Sequence, residues 1–179
     1  KPIIKAVRKH NLKHNTSIRV FAGDFANIAF RLYAASEGYE YFIRVTGDDL
    51  FPDLQLMHKL MLHRDDFDYA YHPDLIRGFD CELIRRSALL DVLNKVPYDN
   101  IEHLEHYIKT DNYRIGALIV PECWTEQNTC FSLTLDTVED WKLIKVIYSR
   151  LIKLHGPNIE IEYVINFLIN NPWFKEINK

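Results

Sequence analysis

Glycine, proline and cysteine are scarce in this 179-residue chain, with six, seven and three residues respectively. So little glycine and proline excludes a fibrous or low-complexity chain. The three cysteines, Cys81, Cys123 and Cys130, are odd in number and lack metal-type spacing. That argues against a disulfide framework and favours a reducing, cytoplasmic setting. No apolar run approaches the roughly 18 residues that span a bilayer, and no signal-peptide pattern is visible. An excess of basic charge is also lacking: 22 Lys and Arg stand against 25 Asp and Glu, a net charge of −3. A protein that coats nucleic acid is therefore disfavoured, because neutralising phosphates requires clustered cations. What the chain does have is a core: 47% of its residues are hydrophobic and 13% aromatic, which excludes intrinsic disorder. The length suits one domain, with a helical arm at about 157–179.

Strand-like and helix-like segments alternate. Pro2–Leu12 reads as a short amphipathic helix. Ser17–Phe21, β-branched and aromatic, reads as a strand ending at Gly23. Asp24 can cap a helix from about Phe25 to Glu37. Tyr41–Thr46 is nearly continuously apolar, as expected of a central strand covered on both faces. Asp53 can cap a helix to about His63. Phe67–Tyr71 and Phe79–Ile84 read as strands, Arg86–Lys95 and Ile101–Thr110 as helices, and Tyr113–Val120 and Thr129–Leu135 as strands. Asp136 or Thr137 can cap a long helix from Val138 to about His155, broken at Gly156-Pro157, and Ile159–Asn170 forms a last helix. The alternation predicts a three-layer α/β/α sandwich on a mostly parallel, mixed sheet. The Trp173-Phe174 pair is expected to pack on this domain.

Ligands of open α/β sheets bind beyond the carboxyl ends of the strands. Asp48, with Asp49 beside it, follows the strand Tyr41–Thr46, and Asp136 follows Thr129–Leu135. Two carboxylates converging there would seat a hard divalent ion. Mg²⁺ typically takes one or two protein carboxylates and completes its shell with water and phosphate oxygens. Aspartate is equally favoured as a turn residue and as a helix cap, and both positions fit those roles. Glu102-His-Leu-Glu-His106 lacks zinc-protease spacing and reads better as a solvated helix face. Cys123 and Cys130 read as buried thiols. No G-x-G or G-x-x-x-x-G-K phosphate loop occurs.

Several segments together resemble a known family, the SpsF-type cytidylyltransferases related to CMP-Kdo synthetase. Arg44-Val-Thr-Gly-Asp-Asp49 resembles the family's strand end, and Gly78-Phe-Asp-Cys-Glu82 its hairpin. Glu102-His-Leu-Glu-His-Tyr-Ile108 is similar to its E-H helix, and Leu133-Thr-Leu-Asp-Thr-Val-Glu-Asp140 to its Asp-Thr segment. Phe21-Ala-Gly-Asp24 with Arg31 also fits. The resemblance runs from about Ser17 to Leu154 and implies the nucleotide-diphospho-sugar transferase (GT-A-like) fold. It implies Asp48 and Asp136 as catalytic Mg²⁺ ligands, and Arg44, Asp49, Glu82 and His103 as substrate-binding residues. The implied reaction is attack of a sugar or sugar-acid hydroxyl on the α-phosphate of CTP, releasing pyrophosphate. It serves cell-surface polysaccharide synthesis, in the cytoplasm, without nucleic acid or membrane span, and a homodimer fits it. Three features depart from the family. Nothing matches its phosphate loop, Pro52 is displaced from the position after Gly-Asp-x, and His106 replaces a proline. Because the chain opens at Lys1 and lacks that loop, the first strand–helix unit is expected to be missing and turnover by this chain weak or absent. Two other readings remain: a glycosyltransferase of the same fold using a nucleotide-sugar donor, and a degenerate binding domain without catalysis.

Overall fold

The computed structural model describes residues 2–23, 27–97, 103–125 and 131–176, with side chains to Phe174. The elements, in chain order, are α1 (Pro2–His14), α2 (Ile28–Ala35), β1 (Tyr41–Arg44), α3 (Leu54–Leu62), β2 (Tyr69–Tyr71), β3 (Glu82–Arg85), α4 (Arg86–Lys95), α5 (Glu105–Ile108), β4 (Ile115–Ala117), α6 (Val138–His155) and α7 (Ile161–Asn170). Short 3-10 turns follow β4 and α7.

The four strands form one mixed sheet in the order β1-β3-β2-β4. β3 runs antiparallel to both neighbours, whereas β2 and β4 are parallel. β1, β2 and β4 therefore point one way and β3 is the reversed strand. Side chains alternate across a strand, so the sheet feeds a core on each face. Leu83 and Ala70 join a cluster with Leu56 and Leu60 of α3, Leu143 and Ile147 of α6, and Val164 and Leu168 of α7. Ile84 and Tyr69 join the opposite cluster with Ala29 of α2, Leu89 and Val92 of α4, and Ile108 of α5. This gives the expected three layers. α7 belongs to the first cluster, and Phe174 is buried beneath Trp173, the two rings stacked 3.7 Å apart.

Several expectations need correction. Ser17–Phe21 forms no strand: Ile18, Val20 and Phe21 are exposed, and β propensity without a pairing partner does not hold a ladder. Tyr41–Thr46 is shorter, ending at Arg44, and it is an edge strand, half-buried at all four positions rather than central. Thr129–Leu135 contributes no sheet strand over its described part, only an isolated bridge between Asp49 and Thr134. The second strand begins at Tyr69, the third at Glu82 and the fourth at Ile115. α2 starts at Ile28, where the Asn27 side chain accepts the Phe30 N–H. Asp24, Ile101, Glu102 and Cys130 lie outside the described residues.

Candidate functional site

Three segments meet at the end of β1. The loop after β1 is hydrogen-bonded to the segment before α6, the Leu135 N–H donating to the Asp48 carbonyl at 3.0 Å, beside the Asp49–Thr134 bridge. The segment before β3 locks onto both: Phe51 N–H donates to Gly78 O at 3.1 Å, and Leu133 N–H to Arg77 O at 2.9 Å. Gly78 makes this closeness feasible. Its φ is +104°, and a Cβ there would lie 2.6 Å from the Leu133 carbonyl oxygen. The turn before α6 is fixed by a capping box. Thr137 Oγ1 accepts the Asp140 N–H, and the Asp140 carboxylate accepts the N–H groups of Asp136 and Thr137.

This scaffold brings the Asp48 and Asp136 segments side by side. Asp48 is half-buried and Asp136 exposed. Neither carboxylate takes part in a hydrogen bond or ion pair among the described residues. Asp49 differs from both. It is buried and accepts a hydrogen bond from Thr46 Oγ1, an interaction that pins the turn. Burial raises its pKa, with Thr46 opposing and the Asp48 charge adding to the rise.

Next to them is a polar cavity of about 40 Å³, lined by Arg44, Thr46, Asp49, Asp80 and Glu82. The strand alignment explains it. Arg44 and Glu82 are direct cross-strand partners of β1 and β3, and Asp80 lies two residues before Glu82. The Arg44 guanidinium meets Glu82 at 2.5 Å, while the buried Tyr69 hydroxyl donates to the other Glu82 oxygen at 2.5 Å. Burial works against the charge on Arg44, but Glu82, with Glu105 and Tyr69 adding to it, keeps the guanidinium pKa above its ordinary value. Burial, then the neighbouring Asp49, pushes the Asp80 carboxyl up to about 6.

The sequence reading missed Thr46, Asp80 and Tyr69. Asp80 carried a signal, its spacing of two from Glu82 within Gly78–Glu82. Tyr69 carried none, since only the β2–β3 pairing reveals its reach. His103 does not line this cavity. It lies exposed just before α5, its Nδ1 3.3 Å from Glu105. Burial pushes the Cys81 thiol up to about 12, so it is a poor nucleophile.

Among the described residues no three side chains of metal-binding type gather at one point. A pair of unpartnered carboxylates on adjoining segments instead suits a hard cation that keeps most of its shell for water and phosphate, as Mg²⁺ does. Fold and site thus define a three-layer α/β protein with a candidate cation site where the loop after β1 meets the segment before α6. No family model matches the chain. It is 28% identical over 162 residues to the spore coat polysaccharide biosynthesis protein SpsF of Bacillus subtilis, covering 86% of this chain and 66% of that protein. It is 29% identical over 175 residues to the uncharacterized protein MJ1063 of Methanocaldococcus jannaschii, covering 93% of this chain and 70% of the relative. The chain thus spans about two thirds of the length of these relatives. A cytidylyltransferase from Leptospira borgpetersenii serovar Hardjo-bovis has the same fold, with a TM-score of 0.79 at 20% identity over all of this chain and 76% of that one. The chain is thus similar in sequence to SpsF and shares the fold of a cytidylyltransferase, in keeping with the resemblance of its motifs. No helix among the described residues is long and apolar enough to cross a membrane.

Proposed function

We propose that this chain is the nucleotidyl-transferring part of an Mg²⁺-dependent cytidylyltransferase. It would transfer CMP from CTP to a hydroxyl of a sugar or sugar acid, in the cytoplasm, for cell-surface polysaccharide. The observation that carries the reading is the hydrogen-bonded junction of the Asp48 and Asp136 segments at the end of β1, whose two carboxylates have no partner among the described residues. The likeness to SpsF supports the polysaccharide setting and the cytidylyltransferase fold supports the reaction class.

In this reading Asp48 and Asp136 hold the ion. A bound Mg²⁺ supplies neutralisation of the charge developing on the α-phosphate. The protein's own residues mainly position groups, which is a large share of catalysis for phosphoryl chemistry. Thr46 and Asp49 fix the turn that presents Asp48. Arg44, held by Glu82 and through it by Tyr69, keeps one orientation toward the cavity where the acceptor approaches. The acceptor hydroxyl oxygen bonds to the α-phosphorus and gives up its proton to water, the bond to the bridging oxygen breaks, and pyrophosphate leaves. His103 remains a candidate acceptor contact from the neighbouring helix.

The test is pyrophosphate release from Mg–CTP by the protein as its gene encodes it, with sugar and sugar-acid acceptors. Asp48→Ala and Asp136→Ala should each lower turnover by about 10²–10³-fold, the usual loss when one electrostatic partner of a transition state is removed. Turnover that persists in the double variant would refute the roles assigned to these aspartates.

A further inference from the structure

α1 stands apart from both cores: none of its 13 residues is buried. A helix of that length without a packed face is marginal in water. Its last turns carry two histidines, His10 and His14, four apart in sequence and therefore neighbours on one face. Their ring centroids are 4.6 Å apart, with an interplanar angle of 34°. Both residues are exposed, and among the described residues neither ring takes part in a hydrogen bond or ion pair. The separation discriminates between coordination geometries. A ring nitrogen binds a first-row divalent ion at about 2.0–2.1 Å, which puts the ion about 3.2 Å from each ring centre. Two such rings at a right angle around the ion have centres about 4.5 Å apart, and at the tetrahedral angle about 5.2 Å. The observed spacing matches the right angle. Right-angled nitrogen positions suit Cu²⁺ and Ni²⁺, whereas Zn²⁺ prefers the tetrahedron. The donor set agrees. Residues 1–23 contain no Asp, Glu or Cys, so a hard ion such as Mg²⁺ finds no carboxylate there, while imidazole suits Cu²⁺ and Ni²⁺. Lys9 and Lys13 lie beside the pair in sequence and repel any dication, which favours Cu²⁺ as the strongest binder of the series. His103 and His106 also lie close, at 5.3 Å, but His103 is already engaged by Glu105.

We propose that His10 and His14 form a two-histidine site for a divalent transition-metal ion of tetragonal preference, Cu²⁺ before Ni²⁺, with water in the other positions. One ring nitrogen of each histidine binds the ion, so the ion bridges a turn of α1 and ties down its C-terminal end. The site stands independently of the nucleotidyl-transfer reading, since it shares no residue with the Asp48–Asp136 junction and takes a different class of ion.

The experiment is a calorimetric titration of the untagged protein, as its gene encodes it, with Cu²⁺ and then Ni²⁺, in an excess of Mg²⁺ that keeps carboxylate sites filled. Cu²⁺ should bind at one ion per chain, and Ni²⁺ more weakly at the same place. His10→Gln and His14→Gln should each weaken Cu²⁺ binding about tenfold or more, because a single remaining ligand loses the effective concentration of its neighbour. His106→Gln should leave it unchanged. Both α1 positions are exposed, so the fold should survive, which circular dichroism without metal checks. Electron paramagnetic resonance of the Cu²⁺ complex should show a tetragonal signal with two equatorial nitrogens. Hydrogen exchange at the Lys13 and His14 amides should slow when Cu²⁺ is added, because the ion holds the last turn closed. Absence of Cu²⁺ binding, or binding that survives either α1 substitution, would overturn the proposal. So would a signal with fewer than two nitrogens, or exchange in the last turn that Cu²⁺ leaves unchanged. Loss of binding in His106→Gln would overturn it as well, by moving the ion to α5.

Discussion

Replacing Gly78 by alanine tests whether one glycine holds the site together. Two penalties combine there. The first is conformational: a side-chain-bearing residue at φ +104° costs about 1–3 kcal/mol. The second is steric: the new Cβ would sit 2.6 Å from the Leu133 carbonyl oxygen and 2.7 Å from its carbonyl carbon and its Cβ. Backbone atoms cannot rotate away as a side-chain tip can, and forced overpacking of this kind costs about 1–3 kcal/mol. The expected destabilisation is about 4 kcal/mol, or a fall in Tm of about 8–16 °C for a domain of this size. Gly38 supplies the control. Its φ is +85°, but nothing lies within 4 Å of a Cβ there, so Gly38→Ala incurs only the first penalty, about 1–3 kcal/mol. Urea denaturation of both variants separates the two effects. Amide hydrogen exchange then locates the damage, because the N–H groups of Leu133 and Leu135 are donors across the junction and should lose protection in Gly78→Ala alone. If the two variants fall within about 1 kcal/mol of each other, or Leu135 keeps its protection, the wedge is not what closes the site.

Asp53 is buried and receives the N–H groups of Gln55 and Leu56 on one oxygen and that of Ile161 on the other. Asp53→Ala removes a cap from α3 and strands a buried donor at the start of α7, so denaturation should show a loss of about 2–4 kcal/mol. Asp80 has its folded pKa raised to about 6 by burial, so the stability it contributes is present at pH 4 and disappears as pH rises through 6. Asp80→Asn should flatten that slope and raise stability at pH 8 by about 1–2 kcal/mol; an unchanged stability–pH curve would contradict the assignment. Asp68 behaves oppositely. Hydrogen bonds from Arg114, against the opposing pull of burial, hold its carboxyl down to about 2. Its contribution is present above pH 4 and lost as pH falls toward 2, and Asp68→Asn should remove up to about 2 kcal/mol at pH 7. The 179-residue chain alone should turn over CTP weakly, because no glycine-rich loop within it offers backbone N–H groups to the phosphates; rapid release of pyrophosphate by this chain would refute that.

Helices were the readable part of this sequence because their signals are local. Arg86–Lys95 and Val138–His155 form with the expected bounds, and Thr137 and Asp53 cap as their positions suggested. Strands were less readable because a ladder depends on a partner remote in sequence. Ile18, Val20 and Phe21 have the composition of a strand but join no ladder among the described residues, the Ile18 backbone bonding the Asn11 side chain instead. Tyr41–Ile43 look central by hydrophobicity but lie at an edge. Phe131–Leu135 reach Asp49 by a single bridge. At the candidate site, the motifs gave Arg44 and Glu82 as separate substrate contacts, and their ion pair follows only from the β1–β3 register. The Tyr69 hydroxyl behind it follows only from how β2 aligns with β3, which no local pattern encodes.

The reversed strand carries a consequence for assembly. Leu83 and Ile84 feed opposite layers while Glu82 faces Arg44. A slip of β3 by one residue would turn Leu83 and Ile84 each into the wrong layer and carry the Glu82 carboxylate away from its guanidinium. A misaligned hairpin would thus forfeit both interiors together with the ion pair, so the chain cannot bury its two cores correctly while leaving this corner of the pocket unbuilt.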